Sequence, residues 1–240
     1  MNLNGLNISN VNYKQLLDYI SDAVNNNLKK NISYANANTI NYLFKDTNFI
    51  NKLNEFDLVH PDGIGIYLAS KLLFGDKGLK ERITGSDFYP LLAAESVNYY
   101  RKIFFFGSDE KTLSKIESVY PELNICGYNG GYNFDNTKLL DKINTSAPNI
   151  LIIGLGFPKQ EKWILENCSK LNYNVCLAVG DGIRVFSKSS IRGPAIFRKI
   201  GLEWLVRLFT NPLKYWKRYL IGNPLFLYRI LKLKMTKFVK

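Results

Sequence analysis

Six short apolar runs rich in β-branched or aromatic residues recur along this chain, and stretches with helical spacing separate them. The runs are Ile32 to Ala35, Leu58 to His60, Ile103 to Gly107, Leu123 to Gly127, Ile150 to Gly154 and Val175 to Gly180. Each is too short and too continuously apolar for a half-solvated antiparallel strand, so it reads as a strand covered on both faces. The intervening patterns predict helices over Tyr13 to Leu28, Thr39 to Leu53, Ile64 to Phe74, Asp87 to Tyr100, Glu110 to Val119, Thr137 to Ile143 and Lys159 to Cys168. Strands alternating with helices of this length require right-handed crossovers. The prediction is a Rossmann-like α/β body with a mainly parallel sheet and helices on both faces. Ser108, after the run Ile103 to Gly107, reads as an N-cap, followed by Asp109 and Glu110 in the first turn.

Beyond Ile191 the alternation stops. Residues 192–240 carry twelve Lys or Arg and a single acid, Glu203, whereas residues 1–191 are nearly neutral. The pattern there is all-helical, with helices expected over Ala195 to Phe209, Pro212 to Leu220 and Pro224 to Val239; Gly193, Asn211 and Asn223 are the expected caps. The division is therefore a body over residues 1–193 and a basic amphipathic appendage over 194–240. Trp204, Phe209, Tyr215, Trp216, Tyr219, Phe226 and Tyr228 interleave with the cations, and the last helix mixes Leu225, Phe226, Leu227, Ile230, Leu231 and Leu233 with Arg229, Lys232, Lys234 and Lys237. Such a segment is a solvated basic face, an interfacial helix on anionic lipid, or a platform for single-stranded nucleic acid.

Other features exclude chemistry. One histidine, His60, cannot build a multi-histidine metal site, and without a GxSxG context it makes a poor serine-hydrolase base. Cys126, Cys168 and Cys176 lack CxxC spacing and lie in or beside apolar runs, as reduced core thiols of a cytoplasmic protein do. The N-terminus is too polar for a secretory signal, and no apolar stretch is long enough to span a bilayer.

In an open parallel sheet, ligands bind beyond the carboxyl ends of the strands. Those positions hold Asn36, Asn38, Asp62, Gly107, Ser108, the segment Gly154 to Gln160 including Gly156 and Pro158, and Gly180, Asp181 and Gly182. Asp62, in the turn Pro61-Asp62-Gly63, is either the cap of the next helix or a general base at a crevice rim. The loop from Gly154 to Glu161 either presents helix N-terminal amides to an anion or is a plain tight turn. It lacks the third glycine of a dinucleotide fingerprint, which weakens an oxidoreductase reading. No DxD occurs, and Glu55-Phe56-Asp57 reads as a helix end entering a strand. A sugar-nucleotide enzyme without an acidic metal pair needs side-chain cations for the departing diphosphate; Arg82, Arg207, Lys214, Lys217 and Arg218 are available.

The segments Pro61 to Gly65, Arg82 to Asp87, Gly154 to Glu161 and Gly201 to Leu208, with Asn211-Pro212 through Leu220, together resemble the WecG/TagA/CpsF glycosyltransferase family, in that order along the chain. The resemblance implies an inverting, metal-independent transferase without a cofactor. Its donor is a UDP-sugar, with N-acetylmannosamine favoured, and its acceptor an undecaprenyl-diphosphate-linked amino sugar, in wall teichoic acid, capsule or related polymers. It would act peripherally on the inner face of the cytoplasmic membrane. Asp62 would be the base, Asn36 would line its pocket, Arg82 and Gln160 would contact donor or acceptor, and Arg207, Lys214, Lys217 and Arg218 would meet diphosphate. Partners would be donor, acceptor and an anionic membrane surface, not nucleic acid, and homo-oligomerisation is undecided. Two positions depart from the family pattern. Tyr34 stands where a threonine is usual, and Arg184 stands where an acid is common, in a loop expected to border the pocket. The alternative in another class is a basic-tailed α/β protein that binds nucleic acid.

Overall fold

A computed structural model describes residues 1–131 and 133–238. The chain opens on a small antiparallel hairpin, β1 (Asn2–Leu3) and β2 (Leu6–Asn7), then runs through α1 (Tyr13–Asn25), β3 (Lys30–Ala35), α2 (Ala37–Leu43), α3 (Asn48–Asn54), β4 (Leu58–Pro61), α4 (Gly63–Phe74) and α5 (Gly85–Asn98). There follow β5 (Ile103–Gly107), α6 (Glu110–Val119), β6 (Ile125–Asn129), α7 (Asn136–Ser146), β7 (Ile150–Gly154), α8 (Lys159–Asn167), β8 (Val175–Ala178) and the short α9 (Ile183–Phe186). The six long strands form one parallel sheet in the order β4-β3-β8-β7-β5-β6.

Side-chain alternation explains why the strands read as continuous apolar runs. Phe104, Phe106, Leu151 and Ile153 point into the layer shared with α2, α7 and α8, while Ile103, Phe105, Ile150 and Ile152 point into the layer shared with α1, α5 and α6. Both layers are dry, so the period of two is invisible to a polar/apolar reading. The helix after β5, α6, and the helix after β7, α8, lie in opposite layers, so the connections diverge between these neighbouring strands. Their ends, Gly107 and Gly154, mark the topological switch point of the sheet.

After Gly193 the chain forms α10 (Ala195–Lys199), α11 (Glu203–Thr210), α12 (Pro212–Trp216) and α13 (Gly222–Phe238), with a π-helical turn at Lys217–Ile221 joining the last two. These elements do not hang free. Phe226 and Ile230 of α13 are buried in the same core as Ile40 and Ile66, Asn41 donates to the Gly222 carbonyl at 2.7 Å, and Arg229 donates to the Asn41 carbonyl at 2.7 Å.

Several boundaries differ from expectation for local reasons. The single helix expected over Thr39 to Leu53 is two, because Asp46, Thr47 and Asn48 favour side-chain-to-backbone bonds over helix interior. Asp109, not Ser108, caps α6, accepting from the Thr112 amide at 2.8 Å, while Ser108 takes a left-handed φ of 64°. The helix expected over Ala195 to Phe209 breaks at Gly201, whose φ is +80°. At α10, Pro194 occupies the cap position, one residue after Gly193. Asn211 caps α12 as expected, but Asn223 lies inside α13. The π turn precedes Pro224, which lacks the N–H that would bond Leu220 and whose ring crowds that carbonyl; widening the turn keeps the helix continuous. Val239, the expected end of this helix, lies outside the described residues. The strand expected over Leu123 to Gly127 is displaced to β6, and the one over Val175 to Gly180 ends at Ala178.

Candidate active site

Asp62 follows β4 and occupies the cap position of α4, yet its carboxylate makes no capping bond to that helix. Oδ2 accepts from Asn36 Nδ2 at 3.2 Å, and Oδ1 accepts from the Gly85 amide at the start of α5 at 3.1 Å. Asn36 is itself fixed, because its Oδ1 caps α2 by accepting from the Asn38 and Thr39 amides at 3.0 and 3.1 Å. The two readings of Asp62 thereby separate. The carboxylate is held by side chain and backbone across the sheet end, half-buried, and aimed into open space.

That space consists of two cavities that meet at Asp62. The larger, about 350 Å³, lies between the start of α4, the α10–α11 corner and α13; the smaller, about 70 Å³, lies between the ends of β3 and β8 and the first turn of α5. Asn36, Asp62, Ser86, Arg207 and Arg218 line both. Arg82 lines the larger cavity, where it donates to the Arg198 carbonyl at 2.8 Å; Tyr34, Tyr89 and Asp181 line the smaller.

The wall facing Asp62 comes from the appendage. Arg207 donates to Ser86 Oγ at 2.9 Å and to Glu203 Oε1 at 2.8 Å, and Ser86 donates to the same Glu203 oxygen at 2.8 Å. Burial alone would pull the Arg207 guanidinium down, but the Glu203 carboxylate outweighs it and holds the group above its ordinary value. The arginine is thus a fixed, fully charged donor. Two glycines permit this docking. A Cβ on Gly201 would meet Ile64 at 2.8 Å and Arg82 Nη1 at 3.0 Å, and one on Gly193 would meet Val206 at 2.6 Å. An Arg192–Asp87 ion pair closes the corner.

Of the residues singled out in the sequence, Asn36, Asp62, Arg82, Asp181, Arg207 and Arg218 come together here. Gly107, Ser108, Gly154, Gly156 and Pro158 line neither cavity and gather instead at the ends of β5 and β7. The chain packs so closely there that a Cβ on Gly107 would lie 2.7 Å from the Gly154 carbonyl.

Gln160 and Glu161, expected to contact substrate, are interior instead. Gln160 Oε1 accepts from the Gly156 and Gly180 amides at 3.2 and 2.9 Å, so a side chain of the protein already occupies the amides expected to greet an anion. Gln160 Nε2 and Ser33 Oγ both donate to Glu161 Oε1, at 2.9 Å each, while Glu161 Oε2 is buried without a partner. Burial pushes the Glu161 carboxyl up to about 7.

Lys214, on exposed α12, and Lys217, at the start of the π-helical turn that follows it, lie outside both cavities. Lys214 pairs with Asp181 at 3.4 Å, and Lys217 sits over the Trp216 ring. Arg184 does not border the site. Its guanidinium reaches back to the Ser189 carbonyl and lies near Asp109, although the adjacent Gly182 and Val185 do line the smaller cavity. His60 is buried with its Nδ1 against the Pro61 carbonyl, is lowered by desolvation, and lines neither cavity. Cys126 and Cys168 are half-buried and Cys176 is buried, all as free thiols.

The aromatic residues of the appendage divide. Trp204, Tyr219 and Phe226 line the larger cavity, whereas Phe209, Trp216 and Tyr228 are exposed, as is Leu213, at 90 %. Among the described residues, no helix is long and apolar enough to cross a membrane.

Sequence reasoning did not select Ser86, Arg198, Glu203, Trp204 or Tyr219 as site residues. Ser86 and Glu203 are 117 positions apart, a pairing that no local pattern announces. Both nevertheless fall inside segments that carried the family resemblance.

A carboxylate at the carboxyl end of a parallel sheet, with arginines across a cavity from it, can accept a proton from a bound hydroxyl and hold an anion beside it. The chain belongs to the glycosyl transferase WecG/TagA/CpsF family, whose model matches residues 1–239, and it is a glycosyltransferase. It is 33 % identical over 184 residues (75 % of this chain, 70 % of the relative) to the N-acetylglucosaminyldiphosphoundecaprenol N-acetyl-beta-D-mannosaminyltransferase of Bacillus spizizenii. The identically named Bacillus subtilis protein is 30 % identical, with 95 % of this chain and 90 % of the relative covered; that of Staphylococcus aureus is 27 % identical, with 96 % and 91 % covered.

Proposed function

We propose that this protein transfers N-acetylmannosamine from a UDP-sugar to an amino sugar linked through diphosphate to undecaprenol, with inversion at the anomeric carbon, in wall polymer synthesis. The names of the relatives support the transferred sugar and the acceptor. The observation that carries the reaction is the position of Asp62 at the junction of two cavities, with Arg207 and Arg218 on both linings.

In this reading the acceptor hydroxyl gives its proton to Asp62 as its oxygen bonds to the anomeric carbon. The bond from that carbon to the donor diphosphate breaks, and UDP leaves with the bonding electrons. Arg207 and Arg218 stabilise the charge that develops on the diphosphate. Asn36 and the Gly85 amide hold the base in register. The donor nucleotide lies along the ends of β8, β7 and β5, toward the switch point of the sheet.

Residues 194–240 form an appendage that both completes the site and seats it on anionic lipid at the inner face of the cytoplasmic membrane. Exposed Phe209, Leu213 and Trp216, interleaved along the chain with exposed Lys214 and Lys217, have the mixed chemistry of an interfacial surface.

The test is UDP release by purified protein with a panel of UDP-sugars, with and without a lipid-diphosphate N-acetylglucosamine acceptor. Release with UDP-N-acetylmannosamine that depends on acceptor is expected. Equal release without acceptor, or release only with another donor, contradicts the assignment.

A further inference from the structure

The larger cavity runs away from Asp62 between two helices, α4 and α13. On α4, Ile64, Leu68 and Leu72 recur every four residues and line it, so one helical face carries an apolar stripe away from Asp62 for about 12 Å at 1.5 Å per residue. Across from it, Asn223, Leu227 and Ile230 of α13 follow at spacings of four and three, which also puts them on one helical face. Gly65 brings the helices together: a Cβ there would touch Phe226 of α13 at 3.4 Å and Ala37 at 3.5 Å.

The polar end is fixed by geometry. Gly201 packs against Ile64 and Arg82, so the arginine cluster sits at the first turn of α4, beside Asp62. Four arginines, Arg82, Arg198, Arg207 and Arg218, face two acids, Asp62 and Glu203. The Arg198 Nε is buried without a hydrogen-bond partner. Two leucines of the groove stay exposed, Leu68 at 57 % and Leu227 at 55 %, although burying leucine in a groove of this kind is favourable.

We propose that the groove between α4 and α13 binds the first part of a polyprenyl chain whose diphosphate is held by Arg82 and Arg198, the two arginines that line this cavity alone, while Arg207 and Arg218, on both linings, remain for the donor diphosphate. The charge excess at one end and the apolar stripe at the other match a lipid with a dianionic head and a hydrocarbon tail. The sugar on that head then lies at Asp62. This inference rests on the proposed acceptor and adds to it a location for the lipid, outside the exposed face of α12.

Calorimetric titration with farnesyl diphosphate, inorganic diphosphate and farnesol tests it without requiring turnover. Farnesyl diphosphate is expected to bind at least about tenfold more tightly than inorganic diphosphate, because the tail leaves water, and farnesol alone weakly. The double substitution Leu68→Gln with Leu227→Gln alters exposed positions and should leave the melting temperature unchanged. It should erase the farnesyl advantage while inorganic diphosphate binds as before, and Tyr100→Gln, at an exposed position just past the end of α5, should change neither affinity. Equal affinity of the wild type for the two diphosphates, or a farnesyl advantage that survives the double substitution, overturns the groove. Farnesol binding as tightly as farnesyl diphosphate would instead mark a site for bilayer lipid and also overturn it. If the groove binds farnesyl diphosphate as expected and no UDP-sugar supports transfer, the reaction is wrong and the groove stands.

Discussion

Asn36 links Asp62 to the helix behind it: one end of its amide caps α2, and the other donates to the Asp62 carboxylate at 3.2 Å. The amide cannot flip without losing the cap, so Asp62 is oriented by a bond whose direction the fold dictates. Asn36→Asp keeps a good cap residue but sets a second carboxylate against the base. The expected result is at least about a tenfold loss of turnover near neutral pH, with the acid limb of the pH–rate profile displaced to higher pH. An unchanged profile would show that this contact does not govern the base.

Arg207 ties the appendage to the body through Ser86 and Glu203. Arg207→Lys preserves the charge but not the fork that reaches both partners, so kcat/KM should fall by about tenfold or more and stability by about 1 kcal/mol. Steady-state kinetics with thermal melts separate the two effects. Near-wild-type kinetics would reduce Arg207 to a structural strut.

Gly201 turns the chain between α10 and α11 at a φ of +80°, against Ile64 and Arg82. Gly201→Ala should cost about 1–3 kcal/mol and raise KM for the lipid acceptor by displacing the cavity wall. A melting temperature and KM both unchanged would refute the role of this corner.

Glu161 gives a pH signature. Burial raises its folded value from 4.5 to about 7, so between those values the folded state holds a proton that the unfolded state has released. The contribution to stability is therefore greatest below about pH 4.5 and is lost as pH rises to about 7, by an amount on the order of 3 kcal/mol. His60, lowered by burial, acts in the opposite sense as pH falls, so the informative quantity is the difference between wild type and Glu161→Gln. Denaturant unfolding should show the variant gaining on the wild type from pH 5 to pH 8. A constant difference would place no titration at this site.

Much of this architecture was legible in the sequence. Strands buried on both faces leave continuous apolar runs, and the runs over Ile103–Gly107 and Ile150–Gly154 match the strands end to end. The hairpin of β1 and β2 was missed: Asn4-Gly5, with φ values of 52° and 90°, is the turn signal that could have found it, but the strands are too short to show alternation. At the site, residues after strand ends were visible as candidates, which found Asn36 and Asp62. What decided their roles was not local. The Asp62 carboxylate turns away from the helix it precedes because Asn36 and Gly85 bind it, and those partners are 26 and 23 positions away. Gln160 and Glu161 look like loop residues in sequence yet point inward, since the Gly156 and Gly180 amides need an acceptor. The charge step at residue 192 located the appendage, whereas its seating on α2 and α4 depends on Phe226 and Ile230, whose burial alternates with exposed neighbours.

The most direct test of the central claim is transfer by Asp62→Asn. The amide is nearly the same size as the carboxylate, so melting should stay within a few degrees of the wild type, and UDP-N-acetylmannosamine should bind with similar affinity. Acceptor-dependent UDP release should fall by about a hundredfold or more. Release by a folded Asp62→Asn at the wild-type rate would contradict the assignment of the base and the mechanism built on it.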